Sequence, residues 1–382
     1  MRAFVCSPGS EPALADELAR AAPTRPTEQL APGVVALASS DRADEDAATN
    51  AVVGDPIFAR QALPGAVAVD GASVRALAEG AFAAVDGVVD GWPGPFSLHA
   101  LAHAEPPPGL ASRASLVAQE LRAIFEGRRR RAWRRHRAVN DAVPDNAPPA
   151  SAAPANAPPD RPAALFDESC LLLQLLALSR EHFIVSAAAP RRLSGGGFDL
   201  SRWPGGEAPV AIDRAPPSRA YQKLEEALAW MGTAPRPGET CVDLGASPGG
   251  WTATALKRGA GVVAVDRAPV APELARDPRV TMIIGNAFTY TPPAPVDWML
   301  CDVVCEPPRS LALVESWLTR GLCRNLVVTV KFKGRAGYGV LDALPPLFAR
   351  LGPAFARVKQ LVHNKNEVTV MVRNGDAPSK MG

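Results

Sequence analysis

Four side chains stand where a lysine and a carboxylate could handle a proton between them. Asp302 ends the apolar run Trp298-Met299-Leu300-Cys301, Lys331 ends Val327-Val328-Thr329-Val330, Glu367 opens Glu367-Val368-Thr369-Val370, and Lys223 lies shortly before the first such run of the C-terminal half. In open α/β sheets ligands sit outside the carboxyl ends of the strands, so polar residues at those ends are functional candidates by position. A lysine between two carboxylates has its charge stabilised while burial opposes it, and the balance decides whether it can act as a base. Each residue alone reads equally well as half of an ion pair at a sheet edge. The case rests on the four together.

A second constellation concerns binding. Cys241-Val242-Asp243-Leu244-Gly245-Ala246-Ser247-Pro248-Gly249-Gly250-Trp251-Thr252 is a short apolar run that ends in Asp-Leu-Gly and opens through Pro-Gly-Gly into a helix-like segment. Glycine lets a backbone approach a ligand closely because no side chain stands in the way. A dinucleotide fold would place Gly-x-Gly-x-x-Gly directly after the strand. Here the glycines fall at Gly245, Gly249 and Gly250, so the pyrophosphate signature is missing. A further run, Gly261-Val262-Val263-Ala264-Val265-Asp266, ends in a carboxylate able to accept from both hydroxyls of a ribose. Together these describe a site for a nucleoside-bearing ligand without a pyrophosphate, and S-adenosyl-L-methionine fits. The blander alternative is the Gly-rich strand-to-helix turn that any doubly wound domain can show.

The elements that must position these residues alternate regularly. We expect helix over 218–232, strand 240–244, helix 250–258, strands 261–266, 280–285 and 298–303, helix 309–320, strand 325–331 and helix 341–351. That order implies a mostly parallel sheet covered on both faces. Two last strand-like runs, 357–362 and 367–373, are joined by His363-Asn364-Lys365-Asn366 and predict an antiparallel hairpin at the sheet edge. The fold class is therefore α/β in the C-terminal half, a Rossmann-like domain.

The N-terminal half differs. Residues 1–62 read as strand (2–6), helix (11–22), strand (33–38), helix, and Pro56-Ile57-Phe58-Ala59-Arg60-Gln61, a small α+β module. Residues 63–191 form a second module with a helix from Ser73, a plausible N-cap, to Ala84, a strand over 97–102, a helix over 110–125, and two buried strands over 171–178 and 181–188. Its last helix runs into Arg128-Arg129-Arg130-Arg131-Ala132-Trp133-Arg134-Arg135-His136-Arg137. Such a tract can neutralise phosphates while Trp133 stacks on a base, or it is simply a solvated basic edge. Residues 138–163, almost all Ala, Pro, Asn and Asp, cannot bury a core and read as an insertion. The Gly- and Pro-rich stretch 192–217 reads as a linker.

A chain of 382 residues exceeds one ordinary domain, and its net charge of +2 provides no global field for nucleic acid, so local clusters must attract it. The six cysteines hold no Cys-x-x-Cys pair and the five histidines are scattered, which argues for free thiols in a reducing compartment and against zinc or another metal. The N-terminus reaches Ser7-Pro8-Gly9 too soon for a signal-peptide core, and no apolar stretch approaches a membrane span, so a cytoplasmic protein without a membrane partner is expected.

With these motifs in place a family resemblance emerges. Ser218-Arg219-Ala220-Tyr221-Gln222-Lys223-Leu224-Glu225-Glu226, the Asp-Leu-Gly-Ala-Ser-Pro-Gly-Gly-Trp loop, Cys301-Asp302, Val330-Lys331 and Glu367-Val368-Thr369-Val370 resemble the FtsJ-like ribose 2′-O-methyltransferases. Pro56 to Gln61, Val303-Val304-Cys305-Glu306-Pro307, Trp317-Leu318 with Gly321-Leu322-Cys323-Arg324, and Gln360-Leu361-Val362-His363 are similar to the ribosomal large subunit methyltransferase M family. The similarity is dense from about 201 to 373. It implies a class I methyltransferase domain over 218–376, preceded by a ferredoxin-like module (1–62) and a THUMP-like RNA-binding domain (63–191) that carries the 128–163 insertion. It also implies S-adenosyl-L-methionine as cofactor and 2′-O-methylation of a cytidine in large-subunit rRNA, before full ribosome assembly. Lys331 is then the proton acceptor, completed to a tetrad by Lys223, Asp302 and Glu367. Cofactor contacts are implied at Ser218, Asp243, Gly245, Ser247, Pro248, Gly249, Gly250, Trp251, Asp266, Asn286 and Asp302. Ser247 stands where the family often has Cys, and Asn286 where it has Asp. Three rivals are a methyltransferase of the same fold on another RNA such as tRNA, a non-catalytic assembly factor, and, remotely, a nicotinamide oxidoreductase.

Overall fold

In the computed structural model, residues 1–39, 53–136 and 166–375 are described. The helix expected between 38 and 56 and most of the 128–163 insertion lie outside them. The chain divides into two compact units, the first formed chiefly by the N-terminal half and the second by residues from Ala208 onward.

Among the described residues the first unit holds two four-stranded sheets. Strands β1 (Arg2–Cys6), β2 (Thr27–Ala31), β3 (Val34–Leu37) and β4 (Ala59–Leu63), with helix α1 (Glu11–Ala21), form a sheet ordered β2-β3-β1-β4. Strands β5 (Val67–Asp70), β6 (Phe96–Ala102), β7 (Leu171–Ala177) and β8 (His182–Ala188), with helices α2 (Val74–Gly91) and α3 (Leu110–Arg128), form the other, ordered β5-β8-β7-β6. Strand β7 is buried on both faces, in keeping with a run that is apolar but for Gln174. Leu171, Leu173 and Leu175 join Leu77, Phe82, Phe96, Leu121 and Phe125 in the core under α2 and α3. Leu176 points the other way and packs with Ala3, Val5 and Leu63 of the first sheet. On that face buried Gln174 also donates to the Ala62 carbonyl at 2.9 Å. The two N-terminal modules read from the sequence therefore share a core and form one unit. Helix α2 starts at Ser73, whose hydroxyl accepts from the Ala76 N–H at 3.0 Å.

The stretch read as a linker is largely fixed. Phe198 to Glu207 belongs to the first unit, where Gln61 donates to the Ser201 carbonyl and accepts from the Ser201 N–H, each at 2.9 Å, beside buried Trp203. Ser194 to Gly197 belongs to the second unit. Composition is blind to such pairings because the partners lie far away in sequence.

The second unit is a seven-stranded sheet ordered β11-β10-β9-β12-β13-β15-β14. Its strands are β9 (Thr240–Leu244), β10 (Gly261–Asp266), β11 (Val280–Ile284), β12 (Val296–Cys301), β13 (Cys323–Lys331), β14 (Phe355–Lys359) and β15 (Glu367–Arg373). Helices α5 (Tyr221–Met231), α6 (Gly250–Lys257), α7 (Pro272–Ala275), α8 (Pro307–Thr319) and α9 (Leu344–Leu351) connect them, α4 being the single turn Arg130–Trp133 of the first unit. The pairs β11/β10, β10/β9, β9/β12 and β12/β13 are parallel, and β15 runs antiparallel between β13 and β14. The expected Rossmann-like α/β sheet with an antiparallel edge is the one observed. The direction of winding reverses at β9, with β10 on one side and β12 on the other, and ligand clefts open at such a switch point. Among the described residues no helix is long and apolar enough to cross a membrane.

Candidate active site

The four chemistry-bearing residues meet at that cleft. Asp302 follows β12 directly, Lys331 is the last residue of β13, and Glu367 is its register partner at the start of β15. Lys223 reaches them from the first turn of α5. Its ammonium lies 2.7 Å from Glu367 Oε1 and 3.4 Å from Asp302 Oδ1. The Lys331 ammonium lies 2.8 Å from Asp302 Oδ1 and 4.0 Å from Glu367 Oε2, and donates to the Asp302 carbonyl at 2.7 Å. Two cations and two anions thus alternate in a closed ring that is mostly shielded from solvent, with Glu367 only 6% exposed and Lys331 19%. The geometry brings all four sequence candidates together.

Thr329 belongs with them and was not singled out from the sequence. It sits two residues before Lys331 on the same face of β13, is fully buried, and donates through Oγ1 to Asp302 Oδ1 at 2.6 Å. The period-2 rule applied backward from Lys331 would have found it.

The loop after β9 is close-packed. Gly245 has φ +81°, and a Cβ there would lie 2.5 Å from a methyl of Val303, the residue after Asp302. Gly249 has φ +118°, and its Cβ would lie 2.3 Å from Leu274. Both positions therefore require glycine, on backbone and on space. Ser218 lies against Gly250, its Oγ 2.3 Å from where a Cβ on that glycine would be. Asp266, at the end of β10, accepts from the Ser247 N–H at 3.0 Å and from the Ala268 N–H at 3.1 Å. It is half-buried, and each of its oxygens keeps a lone pair for a ribose hydroxyl. Asn286, just past β11, accepts from the Phe288 N–H at 3.1 Å, which leaves its amide group to donate. Pro248 forms the outer bend of the loop, and its carbonyl accepts from the Ala271 N–H.

Two of the expected cofactor contacts face elsewhere. Asp243 is 1% exposed and accepts from the Thr252 hydroxyl of α6 at 2.7 Å, so it ties β9 to α6 from beneath the loop. Burial pushes its carboxyl up to about 7, with the neighbouring Asp302 and Asp266 charges adding to the rise and the Thr252 hydrogen bonds opposing it. Trp251 is also buried, and its indole N–H donates to the Ala220 carbonyl at 2.8 Å, bracing the start of α5. Both lie adjacent in sequence to cleft residues but on the inner side of the chain, which sequence order alone does not distinguish.

The arginine tract of the first unit is only partly available. Arg128 forms a two-point pair with Glu79, Arg129 with Asp86, and Arg135 donates to the Val89 carbonyl. Trp133 stacks on His136 with ring centroids 4.4 Å apart, so one face of its ring is already covered. Arg130 and Arg131 remain exposed. Five of the six cysteines are buried and all are free, and burial pushes the Cys6, Cys301 and Cys323 thiols up to about 12.

The site thus combines a strand-end carboxylate, Asp266, and a Gly-rich turn at the switch point with a Lys-Asp-Lys-Glu ring. Residues 216–338 match the model of the FtsJ-like methyltransferase family. Among curated proteins the chain is similar to "Ribosomal RNA large subunit methyltransferase M" of Pseudomonas putida strain GB-1, 38% identical over 214 residues that cover 52% of this chain and 60% of that one. The protein of the same name from strain W619 is 41% identical over 187 residues, covering 46% and 52%. The alignments thus span between about half and three-fifths of the curated relatives' length. Among solved structures, a Burkholderia thailandensis 1,6-didemethyltoxoflavin-N1-methyltransferase with bound S-adenosylhomocysteine is similar at 20% identity and TM-score 0.30, covering 41% of this chain and 78% of that one.

Proposed function

We propose that the protein uses S-adenosyl-L-methionine to methylate a ribose 2′-hydroxyl of large-subunit rRNA, the family resemblance indicating a cytidine. The observation that carries this reading is the Lys223-Asp302-Lys331-Glu367 ring at the switch point, beside Asp266 and the Gly245–Gly250 loop. When bound, the cofactor supplies an electrophilic methyl group on a sulfonium. Asp266 would hold the ribose hydroxyls, Asn286 and the loop backbone the base and the amino-acid end, with Ser218 closing over Gly250. The partly exposed Asp302 carboxylate would face the positive charge.

A ribose hydroxyl is a poor nucleophile and must lose its proton as it attacks. The Lys331 amine, in its neutral form, accepts that proton, and its contact with the Asp302 carbonyl fixes the nitrogen's position. Lys223 and Asp302 align the hydroxyl, while Glu367 holds Lys223 in place through the 2.7 Å contact. The first unit, with Arg130 and Arg131 exposed, would supply the RNA contacts.

The test is incubation of the protein with labelled S-adenosylmethionine and, separately, unmodified large-subunit rRNA, small-subunit rRNA and tRNA, followed by mass mapping of the product. One ribose-methylated cytidine in the large-subunit RNA is expected. In Lys331→Ala the rate falls roughly 10²- to 10⁴-fold with cofactor affinity retained. Methylation of tRNA alone would move the activity to another RNA, and binding of RNA and cofactor without transfer would favour an assembly factor. Near-normal turnover by Lys331→Ala would remove Lys331 as the base.

A further inference from the structure

Glu226 is fully buried, lies on the same helix as Lys223, and has no part in the chemistry described above. The two residues are three apart on α5 and therefore share a face of it. Lys223 reaches from that face to Glu367, and Glu226 reaches to the segment leading into Glu367. Its Oε1 accepts from the Val362 N–H at 2.8 Å. Its Oε2 accepts from the His363 N–H at 3.0 Å and meets the His363 ring Nδ1 at 2.8 Å. A buried carboxylate is costly unless its lone pairs are used, and here three contacts from one turn of backbone use them.

The far end of the turn is held by Asn366, whose carbonyl accepts from the Phe332 N–H at 2.9 Å, whose amide donates to the Phe332 carbonyl at 2.9 Å and whose Oδ1 accepts from the Tyr338 hydroxyl at 2.7 Å. Asn364 accepts from the Leu361 N–H at 2.8 Å and from the Thr369 hydroxyl at 3.1 Å, and Gln360 donates to the Lys365 carbonyl at 3.0 Å. These bonds shape the 360–366 turn and tie its end to the segment after β13, whereas the Glu226 contacts anchor its start to the helix that carries Lys223. We propose that Glu226, with His363, is a positioning residue. It locks the β14–β15 turn onto α5 and so sets the separation of Lys223 and Glu367, on which the orientation of the whole ring depends. The inference deepens the proposed function and rests on it for its kinetic part only.

Glu226→Gln tests it directly. The amide keeps one oxygen but turns an NH₂ toward one of the two backbone N–H groups, so one donor loses its acceptor. His363→Ala removes only the ring contact at a position 24% exposed, and keeps the test open should the first variant fail to fold. Two readouts are used: hydrogen exchange of residues 361–367, which needs no methyl transfer, and kcat set against cofactor KM on large-subunit rRNA. In Glu226→Gln we expect faster exchange at 361–367 and a kcat lowered by up to about 100-fold. Cofactor KM should stay within about twofold. Glu226→Asp, which retains both acceptor oxygens, should recover part of the rate, and His363→Ala should shift both readouts in the same direction by less. A folded Glu226→Gln with unchanged exchange or unchanged kcat overturns the proposal. If that variant does not fold, unchanged exchange and kcat in His363→Ala overturn it. A wild-type protein that methylates no RNA defeats the proposed function instead, and the exchange readout alone then decides the anchoring role.

Discussion

The buried Asp243 carboxyl makes the stability of the second unit depend on pH in a direction opposite to the usual one. An ordinary aspartate titrates at 3.8, whereas burial and the neighbouring Asp302 and Asp266 charges push this one up to about 7. At low pH the group is protonated in both folded and unfolded chains and costs nothing. As pH rises through 3.8 the unfolded chain ionises first, so folded stability falls steadily until the folded carboxyl also ionises near 7, then levels off. The gap is about three pH units, and at about 1.4 kcal/mol for each it amounts to about 4 kcal/mol. Asp243→Asn abolishes the ionisation and keeps the tie to α6, because the Thr252 hydroxyl can turn to accept from the new amide. The variant should therefore gain on the wild type by about 2–3 kcal/mol between pH 5 and pH 8. Urea-dependent hydrogen exchange of residues 240–257 at the two pH values measures this within the second unit, free of unfolding in the first. A variant-minus-wild-type difference that stays constant, or that shrinks toward pH 8, would refute the assignment of a raised carboxyl at this site.

Two further substitutions probe the scaffold. Gly245→Ala combines a left-handed backbone, worth about 1–2 kcal/mol against a side chain, with a Cβ placed 2.5 Å from Val303. It should lower both the melting temperature and the affinity for S-adenosylmethionine, read by thermal denaturation and titration calorimetry, and full retention of both would show that the loop can yield. Ser73→Ala removes the oxygen that accepts from the Ala76 N–H and should destabilise α2 by about 1 kcal/mol. Exchange at the first turn of that helix would report it, with methyl transfer unaffected.

How much could be read in advance follows from which forces are local. Asp302 and Lys331 were legible because largely apolar runs mark buried strands, and the first charged residue after such a run falls at the strand's carboxyl end. Asp243, a cofactor contact implied only by the resemblance, is placed differently. It lies within β9, one residue before the run ends, and faces inward to Thr252. Strand β2, Thr27–Ala31, escaped notice because an edge strand with one half-exposed side carries Thr, Glu and Gln and shows no apolar run. Strand β5, at the edge of the other sheet, was also missed, although it opens with the short apolar run Val67-Ala68-Val69. The pairing of Gln61 with Ser201 spans 140 residues, and no local pattern announces it.

The site itself depends on a relation of the same long-range kind. Parallel strands alone could bring Asp266, Asp302 and Lys331 to one end of the sheet, since β10, β9, β12 and β13 run in the same direction. Glu367 arrives at that end only because β15 is antiparallel, so that the residue opening one strand lies opposite the residue closing its neighbour. A parallel β15 would carry its first residue to the far edge and leave Lys223 without its closest carboxylate. The antiparallel edge is thus a condition of the four-residue ring. The turn before it, held by Glu226, is where a change remote from the reacting atoms should reach the chemistry most directly.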